Sequence, residues 1–319
     1  MPRVLITRRL PPPAAERLTR AGLTVELVDR DDPPPRPVLL ERVRDCAALV
    51  AMLSERIDAE LLDAAGPALR VVANYAVGYN NIDLEACRSR KVRVTNTPGV
   101  LTEATADLTW ALLLAAARRV VEGDHLVRTG TWSGWQPQQL LGLELHGAVL
   151  GLVGAGRIGT AVARRAVGFG MRILYYDPQP CKELDGPLGA HRVPLAELLP
   201  QVDVLSLHVP LTPETRHLLD EHALAQLKPT AILVNTSRGP VVDERALVAA
   251  LRSGRLAAAG LDVYEDEPRL APGLAELPNV VLLPHLGSAT VTTRQRMSAM
   301  VADNVLAVLA SREPPNPVV

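Results

Sequence analysis

The stretch that most constrains this chain is Val149-Leu150-Gly151-Leu152-Val153-Gly154-Ala155-Gly156-Arg157-Ile158-Gly159, in which an apolar run of strand character enters Gly-x-Gly-x-x-Gly. The residues that follow, Thr160 to Phe169, carry Ile158, Val162 and Ala166 at a spacing of four, which predicts a helix that Gly170 ends. In that setting each glycine has a task. Gly154 permits a tight turn, Gly156 lets the backbone approach a pyrophosphate, and Gly159 lets helix and strand pack closely. The helix N-terminus, which follows Arg157 and Ile158, offers N–H groups to the anion. A second strand, Arg172 to Tyr176, ends in Asp177, about twenty residues beyond the glycines, where a carboxylate would bind the ribose diol of an adenosine. The competing reading is a glycine-rich turn with a surface Asp. Strand, helix and acid standing together in this order weigh against it.

At 319 residues the chain suits two domains rather than one core. The formal net charge is −1, with no basic tract, so nucleic acid is not an expected partner. The N-terminus lacks the apolar region of a signal peptide, and the longest apolar stretch, Leu108 to Ala117, is too short to span a bilayer. A soluble, cytoplasmic protein with no membrane partner is expected. Cys46, Cys87 and Cys181 form no paired metal spacing, and no metal is expected.

Strand and helix alternate along the first hundred residues. Strands are expected at 3–7, 24–28, 47–52, 70–73 and from Val92, with helices at 14–21, 39–44 and 57–65, which predicts a small parallel α/β domain. The Pro98-Gly99 break closes it. Beyond it a long helix is expected from Glu103 to about Arg128, apolar on nearly every face around Trp110 to Ala117 and so buried on several sides. Thr131 to Leu143, with Trp132, Trp135 and Pro137, reads as an irregular loop. Further strands are expected at 202–209, 231–235, 257–261 and 280–283, and a last helix at 292–310 that returns to the first domain. The expectation is α/β throughout: two doubly wound parallel-sheet domains, with a Rossmann dinucleotide-binding domain (99–288) inserted into a discontinuous flavodoxin-like domain (1–98 and 289–319).

In an open parallel sheet, ligands sit beyond the carboxyl ends of the strands. The fold would thus bring Gly156, Asp177, Arg238, Asp262 and His285 to one edge. A dinucleotide beside an Arg, an acid and a His suggests hydride transfer to a carbonyl. The oxygen that gains charge needs a proton donor, and His titrates in the right range. A guanidinium can hold a carboxylate bidentately and polarise the adjacent carbonyl. Glu267 could pair with the imidazole and favour its protonated form. Against this, Arg238 could be a structural ion pair, Glu267 a loop carboxylate and His285 a core histidine. His208 is placed to line the edge without reacting.

The motifs Gly154-Ala155-Gly156-Arg157-Ile158-Gly159, Thr236-Ser237-Arg238-Gly239, Leu261-Asp262-Val263-Tyr264-Glu265-Asp266-Glu267-Pro268 and Pro284-His285-Leu286-Gly287-Ser288-Ala289-Thr290 resemble those of the D-isomer-specific 2-hydroxyacid dehydrogenases, over essentially the whole chain. The resemblance implies that Arg238 binds the substrate carboxylate and carbonyl, that His285 is the acid/base and that Glu267 is its partner. It also implies that Asp262 meets the nicotinamide side, and that Val209, Pro210, Thr236, Ser237 and Gly287 border the cofactor with the glycine motif and Asp177. Val77 and Gly78 would offer N–H groups to the substrate carboxylate, with Leu53 beside them. Within the family, Asn74 to Asp83 and Trp132 to Pro137 look most like glyoxylate/hydroxypyruvate reductases, in which the tryptophan at the position of Trp135 reaches across a homodimer to the neighbour's substrate. Many relatives carry Asp where this chain has Asn80, a change not expected to touch the chemistry. The implied activity is NADH-dependent reduction of glyoxylate or hydroxypyruvate, with Asp177 disfavouring NADPH. The alternatives are the same chemistry on 2-ketogluconate, phosphohydroxypyruvate or pyruvate, decided near Leu53-Ser54 and Tyr75, or a dinucleotide-sensing binding protein.

Overall fold

The computed structural model describes residues 1–319, and the chain divides into two compact units: Met1–Leu101 with Ser288–Val319, and Thr102–Gly287. In the first unit β1 (Arg3–Ile6), β2 (Thr24–Leu27), β3 (Ala48–Ala51), β4 (Val71–Asn74) and β5 (Arg93–Thr95) form a five-stranded parallel sheet in the order β2-β1-β3-β4-β5. That is the flavodoxin-like order. β3 and β4 are buried at every position, the signature of strands covered on both faces. The helix Val291–Leu309 packs on this sheet. Ser298 Oγ donates to Pro11 O and accepts from Ala14 N–H, and Asn304, fully buried, links Asn96 to Asn316.

In the second unit β6 (Val149–Val153), β7 (Arg172–Tyr176), β8 (His191–Arg192), β9 (Val204–Leu207), β10 (Ile232–Asn235), β11 (Ala258–Leu261) and β12 (Val280–Leu282) form a seven-stranded parallel sheet in the order β12-β11-β10-β9-β6-β7-β8. Counted from β6, this is 3-2-1-4-5-6 with one strand added, the doubly wound dinucleotide-binding order. The order reverses between β6 and β9, on either side of the glycine motif's strand. The expected α/β architecture of two parallel sheets is therefore the observed one.

Several element boundaries differ from expectation. The long helix expected from Glu103 to Arg128 is two helices, Thr102–Ala117 and Val120–Arg128, broken where Arg119 takes a left-handed φ of 52°. In the first of them Trp110, Leu112, Leu113, Ala116 and Ala117 are buried in the core of their own unit, which accounts for the apolar faces. Val120, Val121 and Val127 on the second helix, and Trp132, Trp135 and Leu141 in the loop after it, stay exposed. The helix after the glycines begins at Arg157, not Thr160, so Arg157, Ile158 and Gly159 are its first residues. A short helix at Leu84–Ser89, capped by Asp83, and the two-residue β8 carry too little periodicity to be read from sequence. No helix is long and apolar enough to cross a membrane.

Candidate active site

The parallel strands of the second unit end along one edge, and the glycine motif sits at its centre. Gly154 has φ 103°, and a Cβ there would lie 2.7 Å from the His208 carbonyl, so the turn fits against the end of β9 only as glycine. A Cβ on Gly159 would lie 2.1 Å from the Gly154 carbonyl oxygen, which makes it the close helix–strand contact. Gly156 differs: a Cβ there would meet nothing within 4 Å. The chain leaves that side open, at the N-cap of the helix Arg157–Gly168, whose first N–H groups have no side-chain cap. An open face at an uncapped helix N-terminus fits a pyrophosphate. Beside it, Asp177 closes the end of β7. Its Oδ2 accepts from Ala155 N–H at 2.8 Å and its Oδ1 from Gln179 N–H at 2.9 Å, so the carboxylate is already oriented over the glycine turn. Arg192, in β8, donates to the carbonyls of Asp177 (2.9 Å) and Pro178 (2.7 Å).

At the ends of β10, β11 and β12 stand the expected reactive groups. Asn235 is buried and organises the Thr236–Arg238 turn: its Oδ1 accepts from Ser237 N–H and Oγ, and its Nδ2 donates to Arg238 O. Arg238 is half-buried with Nη1 on Ser237 O at 2.6 Å. Burial lowers its pKa and the Glu267 charge raises it; the net shift is downward, from a value so high that the group stays cationic. His285 holds its Nδ1 3.0 Å from Glu267 Oε2, and Glu267 Oε1 accepts from Tyr264 N–H at 3.1 Å. Burial pushes the Glu267 carboxyl up, but its hydrogen bond to His285, the charge there, the Tyr264 N–H and Arg238 together hold it below the usual range. With Nδ1 engaged by a carboxylate, Nε2 is the ring nitrogen left to other partners. His285 takes a left-handed φ of 57°, an uncommon conformation for a residue other than glycine.

Asp262 is almost fully buried, and both its oxygens accept from the loop that carries the histidine: Leu286 N–H at 2.6 Å and Gly287 N–H at 2.8 Å. Burial raises its pKa. His208 lies at the same edge with Nε2 2.9 Å from Ser206 Oγ, and burial pushes its pKa down to about 3, so it is neutral and suited to lining rather than to acid catalysis. Val209 is buried and Pro210 exposed directly after it.

Sequence reasoning missed a set of buried polar residues. Thr105 Oγ1 donates to Gly287 O at 3.0 Å, and Thr109 Oγ1 lies 2.8 Å from Thr236 Oγ1, so one helix fixes the ends of both β10 and β12. Their spacing of four within an otherwise apolar helix was the available signal. In the first unit, Asn74 Nδ2 holds Gly78 O and Asn96 Nδ2 holds Val77 O, both at 2.8 Å, while the N–H groups of Val77 and Gly78 bond no protein acceptor. Leu53 is half-buried just past β3. Tyr75 is buried, its hydroxyl donates to Arg294 O at 2.7 Å, and burial pushes its pKa up to about 12.

The D-isomer specific 2-hydroxyacid dehydrogenase NAD-binding domain matches residues 110–287, more than half of the chain. The chain belongs to the D-isomer-specific 2-hydroxyacid dehydrogenases. It is 53% identical over 318 residues to a glyoxylate reductase of Korarchaeum cryptofilum, covering 99% of this chain and 95% of that one. Among solved structures, a Thermus thermophilus protein superposes with a TM-score of 0.93 at 55% identity, over 99% of this chain and 100% of that one. An NADPH-dependent glyoxylate/hydroxypyruvate reductase from Sinorhizobium meliloti, in complex with NADP and malonate, gives a TM-score of 0.88 at 38% identity, over 100% of this chain and 97% of that one. As a 2-hydroxyacid dehydrogenase the chain is an oxidoreductase, and its second unit is the part that binds a nicotinamide dinucleotide.

Proposed function

We propose that this dehydrogenase reduces glyoxylate or hydroxypyruvate with NADH, with His285 as the general acid, and that it works in reverse on glycolate or D-glycerate. The observation that carries the reading is the His285–Glu267 pair at 3.0 Å, set at the same sheet edge as Arg238 and the open glycine cradle. The dinucleotide, when bound, supplies the hydride to the carbonyl carbon. The chain does the rest. Arg238 holds the substrate carboxylate and polarises the carbonyl, and its planar fork fits both tasks. His285 gives the proton from Nε2 to the carbonyl oxygen as charge develops there, and Glu267 stabilises the imidazolium through Nδ1. Val77 and Gly78, with free N–H groups, are assigned to the substrate carboxylate, and Leu53 to the pocket wall. Gly154, Gly156, Arg157, Ile158, Gly159, Val209, Pro210, Thr236, Ser237, Asp262 and Gly287 are assigned to the cofactor, and Asp177 to its ribose diol. On this reading 1–98 with 289–319 is the substrate domain and 99–288 the cofactor domain. The names of the relatives support the substrate class, and Asp177 supports NADH.

The functional unit is proposed to be a homodimer. Trp135 is 82% exposed and Trp132 51% exposed, and Val120, Val121, Val127 and Leu141 are exposed nearby. Tryptophans that merely covered their own helix would be buried. A cavity of about 440 Å³, lined by Ala116, Val121, Leu141, Leu143, Ile232 and Val281 among others, opens beside this surface. An apolar patch of this kind marks an association surface, and Trp is favoured as an anchor. Following absorbance of NADH against glyoxylate, hydroxypyruvate, pyruvate, phosphohydroxypyruvate and 2-ketogluconate tests the substrate reading. The first two should give the highest kcat/KM; a higher value for any of the others would move the enzyme to that substrate.

A further inference from the structure

We infer that Glu244 is a positioning residue for catalysis, holding the loop that carries Glu267 so that its carboxylate stays on His285. This rests on the proposed role of His285 and Glu267. Glu244 is a charged side chain only 5% exposed, at the first position of the helix Glu244–Arg252. A carboxylate there would ordinarily serve its own helix, through the first-turn N–H groups and the dipole. The helix does not need it: Asp243 is the N-cap and accepts from both Arg245 N–H and Ala246 N–H. Glu244 reaches outward instead. Its Oε2 accepts from Glu265 N–H at 2.7 Å and its Oε1 from Ala271 N–H at 2.8 Å. The two bonds clasp a loop at both ends, and Glu267 lies between them.

The near end of that loop is held a second time. Glu265 Oε1 lies 2.6 Å from His217 Nε2 and 3.4 Å from Arg216 Nη2. A Cβ on Gly239 would lie 1.9 Å from the Tyr264 carbonyl carbon, so the turn after Arg238 lies flush on the same segment. Tyr264 in turn anchors its hydroxyl on Leu283 O at 2.8 Å, two residues before His285, and gives its N–H to Glu267. Glu244, Glu265 and Tyr264 thus set where the Glu267 carboxylate sits. The Asp243 cap and the backbone ladder of the sheet do not use the Glu244 carboxylate, and the Glu244 N–H returns the contact by reaching Glu265 Oε2 at 3.4 Å.

The test is a double-mutant cycle between Glu244→Gln and Glu267→Gln, read as kcat, the pH profile of kcat/KM and the affinity for NADH by fluorescence. A carboxamide has one acceptor oxygen, so Glu244→Gln releases one end of the loop. Misplacement of a catalytic group by a fraction of an ångström justifies an expected kcat loss of about tenfold. The pKa governing the profile should fall, as it should for Glu267→Gln, and NADH affinity should stay unchanged. In the Glu267→Gln background, Glu244→Gln should cost less than about twofold, because interacting residues do not add. Glu265→Gln, which loosens the same loop from its half-buried side, should behave alike and serves if Glu244→Gln does not fold. Losses that multiply, or a lowered melting temperature with kcat and profile unmoved, would overturn the inference while leaving the catalytic pair in place. A silent Glu267→Gln would remove the pair and this inference together.

Discussion

Asp177 shows how one side chain can be made ready for a ligand by the chain itself. Two backbone N–H groups, from Ala155 and Gln179, orient its carboxylate and leave further acceptor capacity on both oxygens. A ribose diol can use that capacity, whereas a 2′-phosphate meets repulsion. Arg192 moderates the repulsion, since its guanidinium lies on the carbonyls of Asp177 and Pro178. The preference for NADH should therefore be clear but finite. Asp177→Ala should weaken NADH binding by about tenfold, the loss of a hydrogen bond to a charged group, and should narrow the NADH-to-NADPH ratio of kcat/KM. Wild-type enzyme that uses NADPH better than NADH at equal concentration would refute this account of Asp177.

The seam between β6 and β9 couples the cofactor cradle to stability. His208 follows β9 and packs under Gly154, and burial pushes its pKa down to about 3 from the usual 6.5. Well above pH 6.5 the ring is neutral in both folded and unfolded chains and contributes nothing to pH dependence. As pH falls below that value the unfolded chain takes the proton and the fold does not, so stability declines progressively toward pH 3. Glu267, whose folded carboxyl is held below the usual carboxylate range by His285, adds its loss only at the acid end of that range. Denaturant unfolding between pH 6.5 and 4.5 should show the decline in wild type and a flatter curve in His208→Gln; equal slopes would contradict it. Much at this scale was legible in the sequence, because strands buried on both faces announce themselves as apolar runs and the glycine motif fixes its own strand and helix. The placement of Arg238, Glu267 and His285, each at a strand end or the loop after it, was legible too. What was not legible depends on tertiary partners. Thr105 and Thr109 matter only because their helix lies on the ends of β10 and β12, and Glu244 only because a loop some twenty residues on returns to it. The break at Arg119 had no glycine or proline to mark it.

For the whole molecule, the exposed surface from Val120 to Leu141 is the feature that a single chain leaves unexplained. Light scattering should give a dimer, for which two-fold symmetry is the default. If Trp135 borders the partner's substrate, as the resemblance to glyoxylate/hydroxypyruvate reductases implies, Trp135→Ala should raise KM for the oxo acid several-fold more than KM for NADH. A fully active monomer would end the shared-pocket idea and leave hydride transfer untouched.

The central claim is proton donation by His285 to a carbonyl that accepts a hydride. Its most direct test is turnover of NADH at saturating glyoxylate by wild type and by His285→Gln, with NADH affinity measured alongside. The variant should bind NADH normally and lose roughly two to four decades of kcat, the range for removing a general acid. A His285→Gln enzyme that turns over within about threefold of wild type would contradict the account.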